Sequence, residues 1–160
     1  MAIAADRNSD LFIDGKLVAG SAGRYPTINP ATEEVLGTAA DADAGDMSRA
    51  IDAARRAFDT TDWSTNTELR IRCIRQLREA MRSNIEELRD ITIAEVGAPR
   101  MLTSMAQLEG PVEDLSFAAD TAENYAWRQD LGVASPMGIK TRRTIAREAV
   151  GVVAAITPWN

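Results

Sequence analysis

Residues Val150-Gly151-Val152-Val153-Ala154-Ala155-Ile156 form an apolar run without alternation, closed by Thr157-Pro158-Trp159-Asn160. An alternating strand keeps one face in water, whereas a run of this kind suits a strand covered on both faces of a parallel sheet. Pro158 has no N–H to give to a ladder, so the strand is expected to stop there. In open α/β sheets, ligands sit just beyond the carboxyl ends of strands. Asn160 falls at that place, and its neutral amide can donate to a developing oxyanion without titrating. The same side chain can instead cap a turn. A parallel strand needs a hydrogen-bonded neighbour. No earlier segment reads as that neighbour, so it is expected after Asn160, and the chain is expected to be the front third of a longer protein.

The segments before this run alternate between strand and helix signals. Leu11-Phe12-Ile13-Asp14-Gly15-Lys16-Leu17-Val18 reads as a hairpin, with Asp14-Gly15 suited to a type I′ turn. Asn29-Pro30 starts a turn between two further short strands, so the N-terminal part is expected to be antiparallel. A helix follows, with Asp46 as its expected N-cap and Met47, Ile51, Ala54 and Phe58 as its apolar stripe. Thr67 is expected to cap a second helix with Ile71, Ile74, Leu77 and Met81 along one face. Ser83 and Glu86 have capping-box spacing, which predicts a break and a restart. Gly97 is placed to end that helix, with Pro99 beyond it. Gly110-Pro111 opens another helix, expected to bury Leu115, Ala118, Ala122 and Tyr125 and to end near Gln129. From Val133 to Glu148 the pattern returns to strand around Gly138, and polar residues on both faces predict a projecting hairpin.

Composition narrows the chemistry. The 160 residues carry a net charge of −6, which argues against nucleic acid as a partner. No apolar stretch reaches the length of a membrane span and the N-terminus lacks a signal-peptide core, so no membrane partner and a cytoplasmic location are expected. One cysteine and no histidine exclude an internal disulfide, the usual zinc sites and any Ser-His or Cys-His pair. No metal site is expected.

Four stretches in order resemble the N-terminal part of the aldehyde dehydrogenase superfamily. Leu11-Phe12-Ile13-Asp14-Gly15-Lys16 is similar to its first hairpin, and Asn29-Pro30-Ala31-Thr32-Glu33-Glu34-Val35-Leu36 to its Asn-Pro-Ala-Thr-Gly-Glu segment. Glu95-Val96-Gly97-Ala98-Pro99 resembles Asp/Glu-x-Gly-Lys-Pro, and Arg147-Glu148-Ala149-Val150-Gly151-Val152-Val153 through Pro158-Trp159-Asn160 resembles Arg-Glu-Pro-Val-Gly-Val…Pro-Trp-Asn. Ala149 stands where the family has proline, Ala154 where glycine is common, Ala98 for a frequent lysine and Glu33 for a frequent glycine.

The resemblance implies an α/β fold: the N-terminal part of an aldehyde dehydrogenase-like fold with antiparallel strands, a helical layer, an oligomerisation hairpin and the first strand of a Rossmann-like cofactor domain. Residues 1–132 would be the strands and helical layer, 133–149 the hairpin and 150–160 the first parallel strand. The implied reaction is NAD(P)+-dependent oxidation of a small-molecule aldehyde to a carboxylic acid, through a cysteine thiohemiacetal and a thioester. Asn160 matches the oxyanion-holding asparagine, and Ile156, Thr157, Pro158 and Trp159 match the segment that passes the NAD or NADP cofactor. The nucleophilic cysteine and base glutamate belong to family motifs expected after Asn160, so the chain alone is expected to be inactive. The full-length protein would be a homodimer or homotetramer. A rival reading makes the 160 residues a non-catalytic interaction and oligomerisation module.

Other candidates have plainer readings. Cys73 lies mid-helix among Ile71, Ile74 and Leu77 and reads as packing. Arg72, Arg75, Arg78 and Arg82 form a stripe that is either a solvated face or an anion patch, with the solvated face favoured. Glu86-Glu87 reads as first-turn charge rather than as an acid/base pair. Trp63 and Trp127 read as packing anchors. Arg142, Arg143 and Arg147 suit either intersubunit contacts or edge protection.

Overall fold

The computed structural model describes residues 7–157. Pro158, Trp159 and Asn160 therefore lie outside the described residues. Strand β1 (Arg7–Ser9) is followed by the hairpin β2 (Leu11–Ile13) and β3 (Lys16–Val18), in which Leu11 faces Val18 and Ile13 faces Lys16. Asp14 and Gly15 both have positive φ, 54° and 75°, as the expected I′ turn requires. Strands β4 (Gly23–Ile28) and β5 (Val35–Asp41) pair antiparallel around the Asn29 turn. There the Asn29 side-chain oxygen accepts from Ala31 N at 2.9 Å, and its carbonyl accepts from Glu33 N at 2.8 Å. β1 pairs with β5 in parallel, which breaks the expected all-antiparallel pattern. Three residues are too few to show a period, so only the tertiary pairing reveals this strand.

Helix α1 (Ala44–Thr60) is capped by Asp43, not Asp46. Asp43 accepts from Asp46 N at 2.8 Å, and Asp46 at N3 returns a bond to Asp43 N at 3.1 Å. Asp46 is only 1% exposed because it also reaches Ser21, accepting from its N at 2.8 Å and its Oγ at 3.0 Å. The Ser21 and Asp43 N–H groups, with the Ser21 hydroxyl and Arg49, hold this carboxyl at about 2 against an ordinary 3.8. One short acidic side chain thus fastens the helix start to the loop after β3.

Helix α2 (Thr67–Ser83) is capped by Asn66, one residue before the expected Thr67, through Leu69 N at 2.9 Å. Asn84 breaks the chain and α3 (Ile85–Val96) restarts, but the predicted Ser83–Glu86 box does not form. Ser83 is the last residue of α2, and the Glu86 carboxylate is taken by arginines. α3 ends at Gly97 in the left-handed conformation, as expected. After the single turn α4 (Arg100–Thr103), α5 (Glu109–Asn124) packs on α2. Its buried face centres on Val112 and Ala119, whereas Ala118 and Tyr125 are exposed. α5 stops at Asn124 because Tyr125 is already extended and β6 (Arg128–Ala134) begins soon after.

β6 pairs antiparallel with β7 (Thr141–Ala146), so the hairpin starts five residues before the expected Val133. Every residue of β7 is exposed, which matches a projecting arm. The strand expected over 150–156 does not form: residues 151–157 carry no ladder, and Val150 and Ile156 are 90% and 92% exposed. Strand geometry has to be stabilised by a neighbour's N–H and C=O groups, and among the described residues none is offered. Among the described residues, no helix is long and apolar enough to cross a membrane.

Candidate functional site

The sequence places its candidate chemistry at the end of the 147–157 segment, so what positions that segment defines the site. Arg147 anchors its start. Its backbone N–H donates to Trp127 O at 2.9 Å, Nη1 donates to Ala126 O at 2.9 Å, and its guanidinium lies 5.3 Å from the Tyr125 ring centre. Tyr125 meets Trp127 edge to face at 5.0 Å, and Trp127 Nε1 donates to Ala122 O at 2.8 Å. The aromatic pair is thereby tied to the end of α5, and the segment to the aromatic pair.

Beyond Arg147 the chain crosses the end of α1. A cleft of about 480 Å³ lies between them, lined by Ala57, Phe58, Trp63 and Arg70 on one side and Gly151 and Val152 on the other. Arg70 donates to Trp63 O, donates to Thr67 Oγ1 at 3.0 Å and lies 6.0 Å from the Trp127 ring centre. Arg55 stacks on Phe58 at 4.4 Å and bonds Asp59, Nε to Oδ2 at 2.8 Å. The Asp59 carboxylate raises the Arg55 pKa, and the hydrogen bond from Arg55 lowers that of Asp59. Arg70 thus lines this apolar cleft, and with Arg147 it also lines the adjoining cavity beside Trp127.

Of the sequence-predicted site residues, Ile156 and Thr157 are exposed at the end of this segment. Pro158, Trp159 and Asn160 lie outside the described residues. Arg55 and Arg70 were not singled out in the sequence; the i, i+3, i+4 spacing of Arg55, Phe58 and Asp59 was the available signal. Trp63 and Trp127 do line this cleft region, each with one side open to solvent.

The arginine stripe of α2 is a half-solvated face on which Arg75, Arg78 and Arg82 are ion-paired. Arg75 Nη2 bonds Glu123 at 2.7 Å and Asp120 at 3.2 Å, while Arg78 and Arg82 both pair with Glu113. Helix α5 therefore supplies the counter-charges. Arg89, 3% exposed, gathers α3, α4 and α5: Nη1 donates to Thr103 Oγ1 and Ser104 Oγ at 2.9 Å, and Nη2 pairs with Glu109. Glu86 completes this group through Arg89 at 3.2 Å and Arg100 at 2.8 Å, so its role is an ion-pair bridge. Arg142 pairs with Asp130 inside its own hairpin. Cys73 is a half-buried free thiol on α2, in keeping with packing. Among the described residues there is no group of histidine, cysteine or acidic side chains able to hold a metal.

Residues 17–160 match the aldehyde dehydrogenase family. The chain belongs to that family. Over 155 residues it is 34% identical to the peroxisomal aminoaldehyde dehydrogenase 1 of Pisum sativum, covering 94% of this chain and 30% of that protein. Its fold superposes on the NAD-dependent aldehyde dehydrogenase of Sinorhizobium meliloti with a TM-score of 0.71 and 28% identity, over 78% of this chain and 25% of that one. The NAD+ complex of the Bacillus cereus aldehyde dehydrogenase gives 0.71 and 27%, over 80% and 26% of the two chains. The chain spans about 30% of the length of the curated relatives it matches. Its mixed strands and helices are thus those of an aldehyde dehydrogenase-like α/β fold.

Proposed function

We propose that this chain is the N-terminal part of an enzyme that oxidises an aldehyde to a carboxylic acid with NAD or NADP, and that it contributes Asn160 to the oxyanion site and Ile156 to Trp159 to the cofactor wall. The observation that carries the reading is the family match, which runs without interruption to Asn160 and so includes the Pro158-Trp159-Asn160 signature. Ile156 fits the cofactor role chemically. It is an apolar side chain open to solvent, a surface on which the face of a planar ring can rest, and no charged group of the described 151–157 segment competes there. When bound, NAD(P)+ takes up the hydride released from the aldehyde carbon.

In this reading a thiolate adds to the aldehyde carbon and the carbonyl oxygen becomes an oxyanion. The Asn160 side-chain N–H donates to that oxygen, and loss of hydride from carbon leaves a thioester that water hydrolyses. The thiolate is not Cys73, which sits mid-helix on α2 with Ile71 and Ile74 beside it; we place it, with the base, in sequence beyond these 160 residues. The exposed β6–β7 hairpin fits an oligomerisation arm, with a dimer or tetramer as the assembly.

The test is Asn160→Ala in the full-length enzyme. Removal of one oxyanion donor should lower kcat by about 10²- to 10³-fold with little change in cofactor affinity. Undiminished turnover would overturn the assignment. Failure of the intact protein to bind NAD+ or NADP+ in calorimetric titration would overturn the dehydrogenase reading itself.

A further inference from the structure

We propose that Gly151 is a positioning residue for the cofactor wall, set against Arg55 of α1; the inference rests on the dehydrogenase reading above. Gly151 has φ of +126°, which L side chains rarely adopt, so any substitution there is strained. A Cβ built on this backbone would lie 3.3 Å from Arg55 Nη1, so the guanidinium would have to give way. Arg55 resists moving, because Asp59 holds it through Nε and Nη2 and Phe58 lies against its flat face. The glycine is therefore required for its backbone angle, and a methyl group there would also crowd the paired Arg55 guanidinium by a few tenths of an ångström.

Gly151 sits at the point where the segment leaves its anchors for the cofactor wall. Arg147 pins the chain before it, and Val152 lies in the cleft against α1. Ile156 is five residues further on, an extended reach of about 16 Å. Over that lever a backbone rotation of about 10° at residue 151 shifts the far end by about 3 Å. Misplacement of about 1 Å is enough to cost on the order of 10²-fold in a reacting geometry. Gly151 and Arg55 thus govern where Ile156 and Thr157 are delivered, without touching cofactor themselves.

The experiment compares Gly151→Ala, Arg55→Ala and the double variant in the full-length protein, reading NAD+ or NADP+ dissociation constant by calorimetry, both KM values, kcat and Tm. Gly151→Ala should weaken cofactor binding about tenfold, equivalent to about 1.4 kcal/mol, with aldehyde KM nearly unchanged. Arg55→Ala should weaken it less, since the backbone angle at 151 is untouched. The double variant should bind better than the sum of the two losses predicts, because the vacated guanidinium leaves room for the methyl group. If Gly151→Ala does not fold, Arg55→Ala alone decides, and unchanged cofactor affinity overturns the proposal. A lowered Tm with unaltered affinity also overturns it and leaves Gly151 a folding residue. An unaltered parent that binds neither cofactor defeats the dehydrogenase reading instead.

Discussion

The α2–α5 layer and the 147–157 segment are both rich in small and branched apolar residues, yet their side chains meet opposite fates. In the layer, Val112 and Ala119 are 2% and 0% exposed, and arginines from α2 and α3 bond carboxylates from α5. In the segment, Arg147 anchors the start, and the apolar run from Val152 onward is exposed. An amphipathic helix completes its own backbone hydrogen bonds and needs only a partner face, whereas a strand needs a neighbour for its backbone as well. Apolar character alone therefore does not confer order; the backbone's partners do.

This contrast can be broken by substitution. The largest loss should come from Arg89→Leu, which leaves Glu109, Thr103 and Ser104 without their shared donor and unties three helices at once; thermal unfolding should show a bigger fall in Tm than any other change named here. A Tm equal to the parent's would mean that the network only fills space. Next comes Ala119→Leu, which forces a larger side chain between α2 and α5 and should cost about 1–3 kcal/mol in urea denaturation. The equivalent enlargement Ala154→Leu in the exposed segment should change the stability of the 160-residue chain by less than about 0.5 kcal/mol.

Acid should act on the fastening of α1 to the loop after β3. Asp46 has a folded pKa of about 2 against 3.8, so its stabilisation is present above pH 3.8 and is lost as the pH falls toward 2. The denaturation midpoint should therefore drop across that window, and Asp46→Asn should start lower at pH 5 and flatten the decline. A variant as pH-sensitive as the parent would place the effect on other carboxylates. The smallest effect belongs to the ion-pair ladder. Arg82→Gln should cost less than about 0.5 kcal/mol, because its pair with Glu113 is half in solvent, and 1 M salt should remove even that difference.

Much of this was legible in the residues. The Asp14-Gly15 turn, the Asn29 turn, the break at Asn84 and the stop at Gly97 are local, set by backbone angles and side-chain bonds within a few positions. The family resemblance was equally local, carried by short motifs in order. The capping residues slipped by one to three positions for a related reason: Asp43 and Asp46 are both competent caps, and only the contact of Asp46 with Ser21, 25 positions away, decides which does what.

The chain's own order of residues determined its turns, its helix and hairpin succession and its family, because each depends on short-range geometry. Tertiary structure alone decided that the arginines of α2 are matched by Glu113, Asp120 and Glu123, that the buried face of α5 centres on Val112 and Ala119, and that β1 lies parallel to β5. It also decided that Arg55 stands beside Gly151. Those outcomes join residues 30 or more positions apart, and no local pattern encodes which distant group will arrive.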